Sequence, residues 1–194
     1  KTVELAIGNK KGSLTIKGKT SNRSLNTKEK NEVKGIVRHI FRLDEDLSGF
    51  YEICKKDPQL RFVDKTKSGR LLRSPTIFED IIKTICTTNC SWSNTKMMVS
   101  NLCDLEDGCF PSPETILRTG INKLQKNCRV GYRGKPIYEL SNAVVKGDFD
   151  PDSLLIGNDV EQIKKKLISF NGIGKYSVNH ILMLLGHYSE IPVD

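Results

Sequence analysis

Apolar residues along this 194-residue chain change their period once, near residue 30. Ahead of that point Val3, Leu5 and Ile7 alternate with polar residues, and Leu14 and Ile16 do so again beyond Gly8-Asn9-Lys10-Lys11-Gly12. Alternation on both sides of a glycine-bounded turn predicts a β-hairpin. A hairpin alone buries too little surface to stand by itself, so residues 1–31 are expected to be the C-terminal end of an N-terminal antiparallel β domain plus a polar linker, 20–31. From Glu32 the period becomes that of a helix. Val33, Ile36, Val37 and Ile40 mark one helix; Leu47, Phe50, Tyr51 and Cys54 mark a second, with Asp44 or Asp46 as cap and Pro58 beyond its end. Ser74-Pro75-Thr76-Ile77-Phe78-Glu79 opens a third: Pro75 suits a first helical turn, Thr76 and Glu79 have capping-box spacing, and Phe78, Ile81, Ile82 and Ile85 form the buried stripe. Further helices are predicted over 92–103, 113–118, 121–128, 136–145 and 160–169. Residues 32–194 thus form a mainly α-helical domain, and with the strands the chain is α+β.

The last helices have the most informative layout. Ile163, Leu167 and Phe170 repeat at helical spacing before Asn171-Gly172-Ile173-Gly174, and Val178, Ile181, Leu182 and Leu185 repeat after it. Gly172 and Gly174 allow backbone angles that a Cβ forbids and let another backbone come close. Free N–H groups around Gly174 and Lys175, aided by the helix dipole, form an anion site that a phosphate would fit. The same turn would serve equally as a tight connector between two helices.

Charge and cysteine usage narrow the classes. With 31 Lys and Arg against 23 Asp and Glu, the formal net charge is +8 and the pI about 9.2. That balance favours an acidic partner such as nucleic acid over a neutral small molecule. Lys164-Lys165-Lys166 reads as readily as a solvated face. Six cysteines, at 54, 86, 90, 103, 109 and 128, show neither C-x-x-C spacing nor a histidine at zinc-finger distance. Thiols at apolar helix positions act as small hydrophobes, and a reduced, intracellular protein is expected. No apolar run approaches the roughly 20 residues that cross a bilayer, and no signal peptide opens the sequence, so no membrane partner is expected. Residue 1 begins directly in strand-like sequence and residue 194 ends just after a motif, so a longer protein is expected around both.

Several ordered pieces carry a family resemblance. From Arg73 the sequence runs RSPTIFEDIIKTICTTNCSWSNTKMMVSNLC to Cys103; Phe41-Arg42-Leu43-Asp44 precedes it, and Phe110-Pro111-Ser112-Pro113-Glu114, Gly131-Tyr132-Arg133, the glycine hairpin and Ile191-Pro192-Val193-Asp194 follow in order. Together they resemble the helix-hairpin-helix DNA glycosylase superfamily, in the branch of 8-oxoguanine and 3-methyladenine DNA glycosylases, over about residues 37–194. Agreement of ordered pieces is far harder to reach by chance than one glycine-rich turn.

The resemblance implies a base-excision-repair enzyme, a helical glycosylase bundle, and double-stranded DNA with a damaged base as the partner of a monomer. It makes Asp194 the catalytic carboxylate. Breaking the bond between base and deoxyribose builds positive charge on the sugar, which a fixed anion stabilises, and the same group can orient or deprotonate water. Capping of a following helix is the ordinary alternative for such an aspartate. Bifunctional relatives carry a Schiff-base lysine two residues after the second hairpin glycine. Tyr176 stands there, and Lys175, one residue early, is turned about 100° away, toward phosphates. A monofunctional, water-using glycosylase is therefore implied, with a glycosylase/lyase and a non-catalytic DNA-binding module as rivals. Iron–sulfur relatives, whose cysteines follow the aspartate, fit the TTNCSW segment less well. Tyr176 and His180, four apart on one helical face, would wall the base pocket; a hydrogen-bonded helix histidine is the alternative for His180. Asn89 would enter the gap left when the base is rotated out, and Arg133 would contact the orphaned partner base or its strand, against a surface salt bridge. Trp92 reads as core rather than as a stacking residue. No cofactor is required; a Na⁺ or K⁺ ion held by backbone carbonyls of Phe170 and Gly172 is possible in this family.

Overall fold

The computed structural model describes residues 4–10, 13–19, 25–156 and 159–193, and the chain divides into two compact units, Lys1–Pro75 and Thr76–Asp194. In the first, strands β1 (Glu4–Lys10) and β2 (Ser13–Lys19) pair antiparallel, with Glu4 opposite Lys19 and Lys10 opposite Ser13. Pairing runs through Gly8-Asn9-Lys10, closer to the turn than the glycines suggested; Lys11 and Gly12 lie outside the described residues. Among the described residues these strands make up the whole sheet.

Helix α1 (Thr27–Phe41) begins within the stretch expected to be linker. Asn26 and Glu29 explain the early start: the Glu29 amide donates to Asn26 Oδ1 at 2.9 Å and the Asn26 amide to Glu29 Oε2 at 3.0 Å, a reciprocal capping box. The helix ends at Arg42, in left-handed conformation with φ 51°. Arg42 is buried and ion-paired to Glu45 at 2.8 Å, so the Phe41–Asp44 motif does structural work. Helix α2 (Ser48–Lys56) has Leu47 at its N-cap rather than the expected Asp44 or Asp46; Asp46, one residue earlier, accepts from the Ser48 amide at 2.9 Å. Helix α3 (Arg61–Thr66), absent from the sequence expectation, ends in a left-handed Lys67 whose carbonyl accepts from the Tyr51 hydroxyl.

The second unit is helical throughout its described residues: α4 (Ile77–Thr87), α5 (Trp92–Cys103), α6 (Pro113–Thr119), α7 (Ile121–Lys126), α8 (Gly134–Val145), α9 (Val160–Ile168) and α10 (Lys175–Leu185), with short 3₁₀ turns at 104–106, 131–133 and 151–155. Helix α4 is its axis. Ile77, Phe78, Ile81, Ile82 and Ile85 are all buried, packed with Val178, Ile181 and Leu182 of α10, Met98 and Leu102 of α5, and Ile137 and Leu140 of α8. Each isoleucine buried this fully contributes roughly 1.5–3 kcal/mol, so the spacing legible in the sequence sets this packing. Thr76 accepts from the Glu79 amide at 3.2 Å, but the Glu79 carboxylate pairs with Lys83, so only half of the expected capping box forms.

All six cysteines are free thiols. Burial pushes the Cys86 thiol up to about 12, so Cys86 stays protonated and apolar in the core. Trp92 corrects the sequence reading: at 69% exposure it stands outside the core. Among the described residues no helix is long and apolar enough to cross a membrane.

Candidate functional site

Helices α9 and α10 are joined through Ser169–Gly174, and the tip folds on itself by an Ile173 amide to Phe170 carbonyl bond of 3.2 Å, with Ile173 buried as an anchor. Gly172 needs its freedom. Its φ is +81°, and a Cβ there would lie 2.8 Å and 2.9 Å from Pro136 Cβ and Cγ. Gly174 departs from the expectation that both glycines adopt unusual angles, because its φ of −97° is open to any residue. What Gly174 provides is space: nothing lies within 4 Å of where its Cβ would be. It is the N-cap of α10 and has no capping side chain. The first intrahelical bond reaches the Val178 amide from the Gly174 carbonyl at 2.9 Å, so the amides ahead of Val178 have no partner within the helix.

A cleft of about 460 Å³ opens at this helix end. Its walls are the C-terminal end of α4 (Ile85, Thr88, Asn89), the Tyr132-Arg133 turn with Pro136, and the hairpin from Gly172 to Ser177. Asn89, Arg133, Gly172, Gly174, Lys175 and Tyr176, predicted separately from motifs up to 87 positions apart, are thus brought to one place. Asn89 is exposed, in left-handed conformation at φ 47°, at the reversal between α4 and α5. Its side chain has no hydrogen bond among the described residues. Lys175 is exposed at the cleft. Tyr176 stacks on His180 with ring centroids 6.1 Å apart and an interplanar angle of 19°. Burial holds the His180 imidazole below its ordinary pKa, with the charge of Asp80 pulling the other way. Ser177, fully buried, has no hydrogen-bond partner for its Oγ among the described residues.

Arg133 is placed at the cleft, buried rather than in the surface salt bridge that was its alternative reading. It is 7% exposed and forms no ion pair among the described residues. Its guanidinium donates to the Thr88 carbonyl, to Thr88 Oγ1 at 3.4 Å and to Met98 Sδ at 3.9 Å, with the Tyr132 ring 4.6 Å from its centre. Tyr132, which the sequence reading quoted but gave no role, is the exposed member of the pair, at 61%. Asn179 also went unnoticed. Buried on α10, it donates to the Ile191 carbonyl at 3.4 Å, while Lys164 of α9 pairs with Glu190. The segment leading to Asp194 is therefore tied to both hairpin helices. Asp194 itself lies outside the described residues.

Phe170 packs on Phe149 at 4.8 Å, and its carbonyl already accepts the Ile173 amide. One lone pair remains, and carbonyl oxygens are suitable donors for a hard cation.

The architecture is that of DNA glycosylases of the helix-hairpin-helix type. The chain superposes on the 8-oxoguanine glycosylase/lyase of Clostridium acetobutylicum, solved with double-stranded DNA carrying cytosine opposite 8-oxoguanine, with a TM-score of 0.71 at 20% identity over 97% of this chain and 68% of that one. It also superposes on the 3-methyladenine DNA glycosylase of Archaeoglobus fulgidus, at TM-score 0.68, 21% identity, and coverages of 89% and 60%. By sequence the chain is similar to the DNA-3-methyladenine glycosylase of Bacillus subtilis strain 168, 24% identical over 204 aligned residues that cover 99% of this chain and 67% of that protein. The chain thus spans about two thirds of the length of these relatives. No family model matches it.

Proposed function

We propose that the protein is a DNA glycosylase of base-excision repair that rotates a damaged base out of duplex DNA and hydrolyses its N-glycosidic bond. The observation that carries this reading is the convergence, at one cleft, of an uncapped helix N-terminus, an exposed lysine and a free left-handed asparagine. The amides before Val178, with Lys175, hold a backbone phosphate beside the lesion. Asn89 fills the space left in the stack and Tyr132, exposed at the cleft rim, stacks on an adjacent nucleotide. Tyr176 and the uncharged His180 wall the extruded base. Asp194, next in sequence after the segment that Asn179 and Lys164 tie down, supplies the carboxylate that stabilises the developing cation on the sugar and directs water. Phe170 and Gly172 carbonyls would hold a Na⁺ or K⁺ ion bridging to phosphate.

Tyr176 at the position of the Schiff-base lysine supports a monofunctional reaction. The β1–β2 hairpin would be the end of an N-terminal β domain, and the helical domain, expected from residue 32, would begin with α1 at Thr27. A DNA substrate and six free thiols fit a reducing intracellular setting. The test is a panel of duplexes, each with one lesion (8-oxoguanine, 7-methylguanine, hypoxanthine), assayed with and without alkali and with borohydride. Base release that becomes strand cleavage only after alkali, with no trapped complex, is expected. A trapped band lost in Lys175→Ala would establish the lyase instead, and tight binding without any release would leave a DNA-binding module.

A further inference from the structure

The polar groups of Thr88 identify a role for Arg133 that neither of its sequence readings contained. Thr88 is the last residue before the chain reverses at Asn89, with ψ 131° followed by φ 47°. Carbonyls at a helix C-terminus lack intrahelical partners and carry the negative end of the dipole, so a cation is the natural ligand. Arg133, 45 residues further along the chain, supplies it to the Thr88 carbonyl and also donates to the Thr88 hydroxyl. On the far side of the turn, Cys90 Sγ lies 3.1 Å from the Cys86 carbonyl and 3.2 Å from Thr95 Oγ1, and Ser91 caps α5. The reversal is thus fixed on both flanks, and its apex, Asn89, is the exposed residue. A planar fork with several donors holds a carbonyl and a hydroxyl in fixed geometry, which an ammonium does not reproduce. Burying a cation without a carboxylate partner is costly, and a turn needed only for packing could be closed by a neutral side chain.

We propose that Arg133 is a positioning residue that clamps Thr88 so that Asn89 is presented, already in its inserting conformation, to the gap in the DNA stack. The proposal rests on the glycosylase reading. Arg133 acts through Asn89 and does not itself read the opposite base.

The test is a double-mutant cycle on binding to duplexes with a tetrahydrofuran abasic site opposite each of the four bases, measured by fluorescence anisotropy alongside an undamaged duplex. Wild-type protein should prefer the abasic duplexes. Arg133→Gln and Asn89→Ala should each reduce that preference about tenfold, the scale of one lost charge-assisted hydrogen bond. The double variant should lose no more than either single one, and the ranking of opposite bases should be unchanged in Arg133→Gln. Arg133→Lys keeps the charge without the fork and should fall between wild type and Arg133→Gln. It also carries the same cycle should the glutamine variant fail to fold, as judged by circular dichroism. Losses that multiply, or an altered ranking of opposite bases in an Arg133 variant, would overturn the proposal. Wild-type protein that binds no duplex would overturn the glycosylase reading and the proposal with it.

Discussion

Substituting alanine at the two hairpin glycines should separate folding from DNA contact. At Gly172 an alanine inherits φ +81°, which costs about 1–2 kcal/mol for a residue with a Cβ. That Cβ would lie 2.8 Å and 2.9 Å from Pro136 Cβ and Cγ, atoms of a rigid ring on α8. Forcing such a contact costs about 1–3 kcal/mol, so Gly172→Ala should destabilise the helical unit by roughly 2–5 kcal/mol. At about 4 °C per kcal/mol, Tm should drop by roughly 8–20 °C. Gly174→Ala meets no neighbour within 4 Å and an ordinary φ of −97°. Lower unfolded-state entropy offsets the slightly poorer cap, and stability should stay within about 1 kcal/mol of wild type. Its methyl stands before the free amides of α10, however, so DNA affinity should decrease there without loss of stability. Urea unfolding followed by circular dichroism, with anisotropy on a labelled duplex, measures both. A Gly172→Ala protein as stable as wild type, or a Gly174→Ala protein that unfolds early, would refute this assignment of the two glycines.

Three further outcomes follow from the same geometry. Because burial lowers the His180 pKa from 6.5, the unfolded chain binds the proton more tightly, so stability is full above pH 6.5 and declines as pH falls through the folded value; unfolding midpoints between pH 8 and 5 should show this, and His180→Gln should flatten the decline. Trp92 is the chain's sole tryptophan and 69% exposed, so its emission should be that of a solvated indole; an unexposed spectrum would contradict its placement. If amides and lysines hold phosphates, log affinity for duplex DNA should decrease linearly with log salt at a slope of about −0.9 per phosphate neutralised, and a flat dependence would remove the phosphate contacts.

How much of this was legible in the sequence depended on how far each residue's partner lay along the chain. Stripes of α4 and α10 were readable because every third or fourth residue is apolar and both faces end up covered. Gly172 was readable in kind, although nothing in the sequence showed that Pro136 would press on it and leave Gly174 open. The start of α1 escaped because its capping box stands in a polar stretch ahead of the first apolar marker, Val33. Helix α3 escaped because six residues offer too little periodicity. Trp92 shows a deeper limit: spacing gives the face a side chain occupies, and only the tertiary structure says whether that face is buried. Arg133 shows another, since a surface salt bridge and a base contact both seemed open to an arginine whose partner, a backbone carbonyl 45 residues away, leaves no mark in side-chain chemistry.

The central claim, that a fixed carboxylate at Asp194 drives cleavage of the bond between a damaged base and its sugar, is tested most directly by single-turnover base release with Asp194→Asn in the full-length protein. Removing the anion while keeping the side chain's shape should lower the rate by at least about a hundredfold, with affinity for an abasic-site duplex unchanged. Near-normal release by Asp194→Asn, with binding intact, would contradict the account.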